Sequence, residues 1–426
     1  LKVVVAIGFL RNGFPSTRNH PVNAGFATKE LKRRFAKSVK SRERSASMPD
    51  VESLRVMKTP KSVEIDITNR CNLRCLYCAH FTSAGDVKGD LTTEEWLKVI
   101  DELGECAVMR VTLAGGEPFI REDLKEIIDG IVRNRMRFDI LSNGTLITDE
   151  MAAYLKSTGR CDYVQVSIDG PGPESHDIFR GDGSFARALE GLRALLRNGV
   201  PATVRVTIHK HNIHSLDKVA SLLLDDLGLP NFSTNAASHQ GLCRKNQEMV
   251  QLTEADQLLA MNTLIELNRK YNNRISGQAG PIANAEQWTK MEQARKAGDE
   301  NIPGCGYLRS CGGVMSKMAI RADGGMTPCN QMHHVELGKV NRDSIREVWQ
   351  NHPELRRLRE RRSIPLNEVP FCEGCDYIPY CRGGCPALAY TITGSDSKPS
   401  PDSCLREYLR NGGHLPEDAQ GITACR

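Results

Sequence analysis

Residues 62–78 read SVEIDITNRCNLRCLYC: an alternating, β-branched run that ends in three closely set cysteines, Cys71, Cys75 and Cys78. The alternation predicts a strand over 63–68. The cysteines then follow directly, in Cys-x₃-Cys-x₂-Cys spacing, on the loop that leaves it. Three thiolates within eight residues are enough for three corners of an iron–sulfur cube. Because a [4Fe–4S] cluster ordinarily takes four cysteines, such a site leaves one iron open to a small ligand. The alternative is a zinc knuckle, which usually shows paired Cys-x₂₋₄-Cys units and four ligands.

Downstream, short β-branched runs recur at 110–114, 138–142, 163–168 and 203–209, with a weaker one at 231–235. Amphipathic stretches lie between them. Thr92 and Thr93 precede EEWLKVIDELGE as a predicted N-cap, and similar helices are expected in EDLKEIIDGIVRN, DEMAAYLKST, SFARALEGLRALLRN and HSLDKVASLLLDDL. Strand followed by helix, repeated, argues for a parallel sheet with right-handed crossovers. In such folds the chemistry sits at the carboxyl ends of the strands, which is where the cysteine loop falls. Residues 236–304 read as a bridge with one strong helix, TEADQLLAMNTLIELNRKY. From Cys305 the strand–helix rhythm is expected to stop and cysteine density rises.

The triplet resembles the cluster loop of the radical S-adenosylmethionine (SAM) superfamily, in which the open iron chelates SAM and a 5′-deoxyadenosyl radical is formed. The resemblance implies a partial (β/α)₆ barrel over 60–235. It also implies that Gly115, Gly116, Glu117 and Pro118, the GGEP turn after the second strand, hold SAM's amino group. At the end of the fourth strand, Ser167 and Asp169 are implied near the ribose and Arg180 on the carboxylate, a pairing that suits arginine's planar fork. Asn143, Asn212 and Tyr77 are further candidate SAM contacts.

The later cysteines are spaced Cys305-x₅-Cys311-x₁₂-Gly324-x₄-Cys329, then Cys372-x₂-Cys375-x₅-Cys381-x₃-Cys385, then Cys404. This pattern resembles the SPASM domain, an auxiliary-cluster module, here over 305–410. It implies one auxiliary cluster on Cys305, Cys311, Cys329 and Cys385 and another on Cys372, Cys375, Cys381 and Cys404. With SAM, the cofactors would then be three [4Fe–4S] clusters. Cys106, Cys161, Cys243 and Cys425 remain; the first two are expected to be buried and inert.

Fifteen cysteines, clustered at metal-ligand spacing, argue for a reducing, cytoplasmic setting. No apolar run reaches the roughly 18–20 residues that span a bilayer, so no membrane partner is expected. The net charge of +5 arises in residues 1–47, which hold eleven Lys and Arg against two Asp and Glu. Residues 1–59 read as a basic, disordered arm, or in part as sequence upstream of a start near Met48, and 411–426 as a tail. The remainder is slightly acidic, and no nucleic-acid partner is expected.

The two resemblances together imply an enzyme that oxidatively modifies a peptide or protein by crosslinking, epimerisation or oxidation, with the auxiliary clusters taking up electrons. A flavodoxin- or ferredoxin-like protein is the expected electron donor. The alternative is a small-molecule enzyme of haem or other cofactor biosynthesis; a different class is a non-catalytic iron–sulfur or zinc protein. Sulfatase-maturing members of the family carry an aspartate after the third cysteine of the first auxiliary set, where this chain has Asn330. His333 and His334 lie just beyond it.

Overall fold

The computed structural model describes residues 56–81, 89–299, 302–309 and 312–417. The expected start near Met48 and most of the basic arm lie outside the described residues, as do Cys311 and Cys425.

Seven parallel strands form the core: β1 (Ser62–Thr68), β2 (Arg110–Gly115), β3 (Arg137–Ser142), β4 (Cys161–Ser167), β5 (Ala202–Ile208), β6 (Phe232–Ala236) and β7 (Ile275–Gly277). Helices α1 (Thr93–Glu105), α2 (Leu124–Arg133), α3 (Asp149–Ser157), α4 (Pro173–Arg180), α5 (Ser184–Arg197) and α6 (Leu216–Ser221) connect them as crossovers. Val63, Ile65 and Ile67 of β1 are fully buried and share one core with Trp96, Ile100 and Leu103 of α1. Each such side chain contributes about 1.5–3 kcal/mol on burial. Alternation sends Glu64, Asp66 and Thr68 to the opposite face of the strand.

Helix starts follow the local chemistry. Thr92 caps α1 with a capping box: the Glu95 amide donates to Thr92 Oγ1 at 3.2 Å, and the Thr92 amide donates to Glu95 Oε2 at 2.8 Å. After β6 come two short helical turns, α7 (Gly241–Lys245) and α8 (Gln247–Val250), and then α9 (Glu254–Lys270), boxed in the same way by Thr253 and Asp256.

Residues 236–304 hold more structure than one helix. Beyond α9 they contain β7, which extends the sheet, and α10 (Pro281–Ala297). A three-residue strand has too few positions to display a period. The inward face of α10 is spread over Ile282, Ala285, Trp288 and Met291, a sparse apolar row inside a polar sequence.

The sheet also continues past Cys305. Strand β8 (Lys317–Ile320) pairs in parallel with β1, Val63 opposite Met318, and turns through Gly324 into the antiparallel β9 (Gly325–Thr327) and β10 (Gly338–Lys339). The order is β10-β9-β8-β1-β2-β3-β4-β5-β6-β7, an open sheet. Helices α11 (Ile345–Asn351), α12 (Pro353–Glu360), α13 (Pro386–Thr393) and α14 (Leu405–Arg410) complete the C-terminal part. Trp349 of α11 donates to the Met57 carbonyl at 2.8 Å, tying this part to the start of the described chain. Among the described residues no helix is long and apolar enough to cross a membrane.

Candidate functional site

The cysteine loop is fixed to the ends of its neighbouring strands. Asp90 accepts from Thr68 Oγ1 at 2.6 Å and from the Asn69 amide at 2.7 Å, which shapes the exit from β1. The GGEP turn then packs directly on the loop: the Gly116 amide donates to Thr68 O and the Glu117 amide to Arg70 O, both at 2.9 Å. Neither glycine tolerates a side chain. Gly115 has φ +116, and a Cβ on Gly116 would lie 2.1 Å from Arg70 O and 3.1 Å from Cys71 Cβ.

Glu117 is fully buried beneath the loop. It accepts from Ser142 Oγ at 2.8 Å and from the Asn143 amide at 2.7 Å, and burial pushes its carboxyl up to about 7. Asn143 in turn approaches Cys71 Sγ at 3.8 Å and bonds Asn72 Oδ1 at 2.9 Å. GGEP, the end of β3 and the first cysteine are thus one bonded unit.

The other side of the loop rests on α4 and α7. The Leu76 amide donates to Phe179 O, and the Leu242 amide to Cys78 O, both at 2.9 Å. Tyr77 donates to Asp169 Oδ2, which also receives Arg180 Nε at 2.5 Å. Asn212 is fully buried and donates to Asp169 O at 2.9 Å; Ser167 is half-buried at the end of β4. Cys243 is buried beside Tyr77 and Phe179 rather than open to a cavity. Cys106 is buried as expected, and Cys161 is partly buried.

In the C-terminal part, Cys372, Cys375, Cys381 and Cys404 line one small cavity, with Phe371, Tyr377 and Arg406 around it. The sequence-predicted second set is therefore brought together. Of the first set, Cys305 lies on a segment bonded to the one bearing Cys381, through Gly306 N to Cys381 O at 2.9 Å. Cys385 precedes α13 as its N-cap residue, and Cys329 O accepts from Thr327 Oγ1 at 3.1 Å. Among the described residues no three His, Cys, Asp or Glu side chains converge on a single metal ion.

A cavity of about 520 Å³ opens between the two regions. One wall is Ala79–Phe81 of the cysteine loop with Asp66 and Asn69; the other is Gln331, His333 and His334, just after Cys329, with Tyr390. His334 stacks flat on Tyr390, with ring centroids 3.4 Å apart. Asp66 is a site residue that sequence reasoning missed. Its signal was a second acid beside Glu64 on one face of β1. Burial, with Glu64 beside it, pushes its carboxyl up to about 8.

Residues 65–223 match the family model of the radical SAM superfamily, and residues 311–376 match that of the SPASM iron–sulfur cluster-binding domain. The chain belongs to the radical SAM superfamily. It is an enzyme of the branch that carries a C-terminal SPASM domain, and it binds iron–sulfur clusters and SAM. It is 28% identical over 354 residues to the AdoMet-dependent heme synthase of Methanosarcina barkeri, spanning 82% of this chain and 97% of that one. It is likewise 28% identical over 356 residues to the mycofactocin maturase MftC of Mycobacterium ulcerans, spanning 83% and 89%. In fold it is similar to Streptococcus suis SuiB bound to its precursor peptide SuiA, with a TM-score of 0.64 at 14% identity, covering 92% of this chain and 84% of that one.

Proposed function

We propose that this chain oxidatively modifies a peptide or protein held in the 520 Å³ cavity between the cysteine loop and the segment after Cys329. The observation that supports the reading is the cavity's two walls, Ala79–Phe81 beside the cysteine loop and Gln331–His334 after Cys329; on the proposed ligand sets, substrate there lies between the SAM cluster and the first auxiliary cluster. In this reading Cys71, Cys75 and Cys78 hold the SAM cluster. Cys305, Cys311, Cys329 and Cys385 hold one auxiliary cluster, and Cys372, Cys375, Cys381 and Cys404 the other. When bound, the SAM cluster and SAM supply a 5′-deoxyadenosyl radical that removes one hydrogen atom from the substrate.

The chain's own residues bind, orient and exclude water. The Gly115–Pro118 backbone receives SAM's amino group, and Arg180 its carboxylate. Ser167, Asn143, Asn212 and Tyr77 border the nucleoside, with Asp169 behind them. The cavity walls keep the target C–H bond close to the radical, a positioning effect that supplies much of the catalysis in such sites. A flavodoxin- or ferredoxin-like protein delivers the electron, and the setting is cytoplasmic. The relatives named as maturases, and SuiB with its bound peptide, support a peptide substrate.

A second reading, side-chain trimming of a tetrapyrrole, is favoured by one observation: the relative matched over 97% of its length is a heme synthase. Anaerobic reconstitution tests the shared chemistry. About twelve irons per chain are expected from three four-iron clusters, with 5′-deoxyadenosine formed on addition of dithionite. Zinc alone, or no SAM cleavage, would refute the assignment. Adding either small peptides encoded beside the gene or an acidic tetrapyrrole, and following product by mass spectrometry, then separates the two readings.

A further inference from the structure

Asp169 is fully buried, and both of its carboxylate oxygens are taken by the protein. Oδ2 receives Arg180 Nε at 2.5 Å and the Tyr77 hydroxyl; Oδ1 receives the Thr207 amide at 2.8 Å. Its backbone is held too. The Asp169 amide donates to His176 Nδ1 at 3.2 Å, and its carbonyl accepts from Asn212 Nδ2, which also bonds Thr207 O at 2.8 Å. At full burial neither oxygen is presented to a ribose.

What Asp169 joins is more informative. Tyr77 lies between Cys75 and Cys78 on the cysteine loop, Arg180 is the last residue of α4, and Thr207 is on β5. The same junction is reinforced by Leu76 N on Phe179 O, and by the Arg180 guanidinium 5.3 Å above the Tyr77 ring. Asp169 grips Arg180 at Nε. This leaves the two terminal nitrogens as a planar fork for a second carboxylate.

We propose that Asp169 does not contact SAM but is a positioning residue, a clamp that aims Arg180 at SAM's carboxylate and locks that aim to the cysteine loop through Tyr77. The proposal rests on the reading of Arg180 as the carboxylate partner. Burial alone would raise the acid's pKa, but Arg180 holds it down at about 2, so the clamp stays charged throughout the working range. Removing the charge leaves a buried guanidinium without its counter-ion, free to rotate away from the fork geometry.

The test uses the full reconstituted chain with three variants: Asp169→Asn, Arg180→Lys and the double substitution. SAM affinity is measured by equilibrium dialysis, and the reduced SAM cluster is followed by EPR with and without SAM. Asp169→Asn is expected to keep the wild-type iron content, weaken SAM at least tenfold and lose the SAM-induced change in the EPR line shape. The double variant is expected to bind SAM no worse than Arg180→Lys alone, because Asp169 acts through Arg180. Wild-type affinity in Asp169→Asn, or losses that multiply in the double variant as two separate SAM contacts would, overturns the proposal. Wild-type affinity in Arg180→Lys would instead sink the reading of Arg180 itself. Should Asp169→Asn fail to fold, Tyr77→Phe removes a single donor from the clamp: a severalfold weaker affinity with a changed EPR line shape supports the proposal, and no change in either overturns it.

Discussion

Asn330 donates its side-chain amide to Glu64, so the residue that follows Cys329 is bonded to β1, the first strand of the sheet. Glu64 is half-buried, and desolvation pushes its carboxyl up to about 7. An amide at 330 suits that partner at any pH, whereas a carboxylate there would face a second acid.

Asn330→Asp is accordingly expected to destabilise the protein when both acids are ionised. The loss should be small at pH 5, where one proton serves the pair, and larger at pH 8, on the order of 1–3 kcal/mol for a like-charge contact replacing a hydrogen bond. Thermal unfolding at the two pH values checks this; equal Tm losses would argue against the Glu64 contact.

Asp66 gives a second pH dependence, of determinate sign. Its carboxyl titrates near 4 when unfolded and about 8 when folded, so the folded state binds the extra proton. Stability from this group is therefore full below pH 4 and declines as pH rises toward 8. Asp66→Asn, which stays neutral, is expected to gain on wild type by a few kcal/mol between pH 5 and pH 8. A variant whose Tm difference stays flat over that interval would contradict the shift.

Cys75→Ala is expected to abolish SAM cleavage while about eight irons remain, two four-iron clusters' worth. Iron and sulfide analysis beside a 5′-deoxyadenosine assay decides it. Cleavage surviving in the variant would move the SAM cluster elsewhere.

Cys385→Ala is expected to lose about four irons and also to lower Tm. Its cysteine sits at the start of α13, among residues of the second set, yet is assigned to the first. If iron falls without a change in Tm, Cys385 binds metal but does not staple the domain.

Gly116→Ala forces a methyl group against Arg70 O at 2.1 Å, so the turn and the cysteine loop have to separate. SAM affinity is expected to fall at least tenfold, a few kcal/mol of misfit being normal for such overpacking. Gly89→Ala, which meets no atom within 4 Å, is the control. Equal behaviour of the two would detach GGEP from the site.

Much of this was legible in the chain. The six predicted strands formed at their expected places, five of them on a clear period and the sixth, at 231–235, on a weaker one, and Thr92 capped α1 as its sequence foretold. Cys372, Cys375, Cys381 and Cys404, the set implied by the SPASM resemblance, line one cavity. What stayed hidden depends on distant pairing. The KMAI segment of β8 is too short to announce a partner more than 250 positions earlier. The role of Asp66 depends on which face of β1 looks into the cavity, and Asn330 gains meaning only once Glu64 lies beside it. Local pattern reports elements; it does not report which loops meet.

The pairing of β8 with β1 has a consequence for biosynthesis. One edge of the first strand is covered early by β2, but the other waits for a segment about 250 residues downstream. At roughly 5–20 residues per second this is tens of seconds on the ribosome, with a row of unpaired amides and carbonyls beside apolar side chains. The nascent chain is thus most exposed to misassembly before the SPASM domain emerges, and a fragment ending ahead of Lys317 would keep that edge bare.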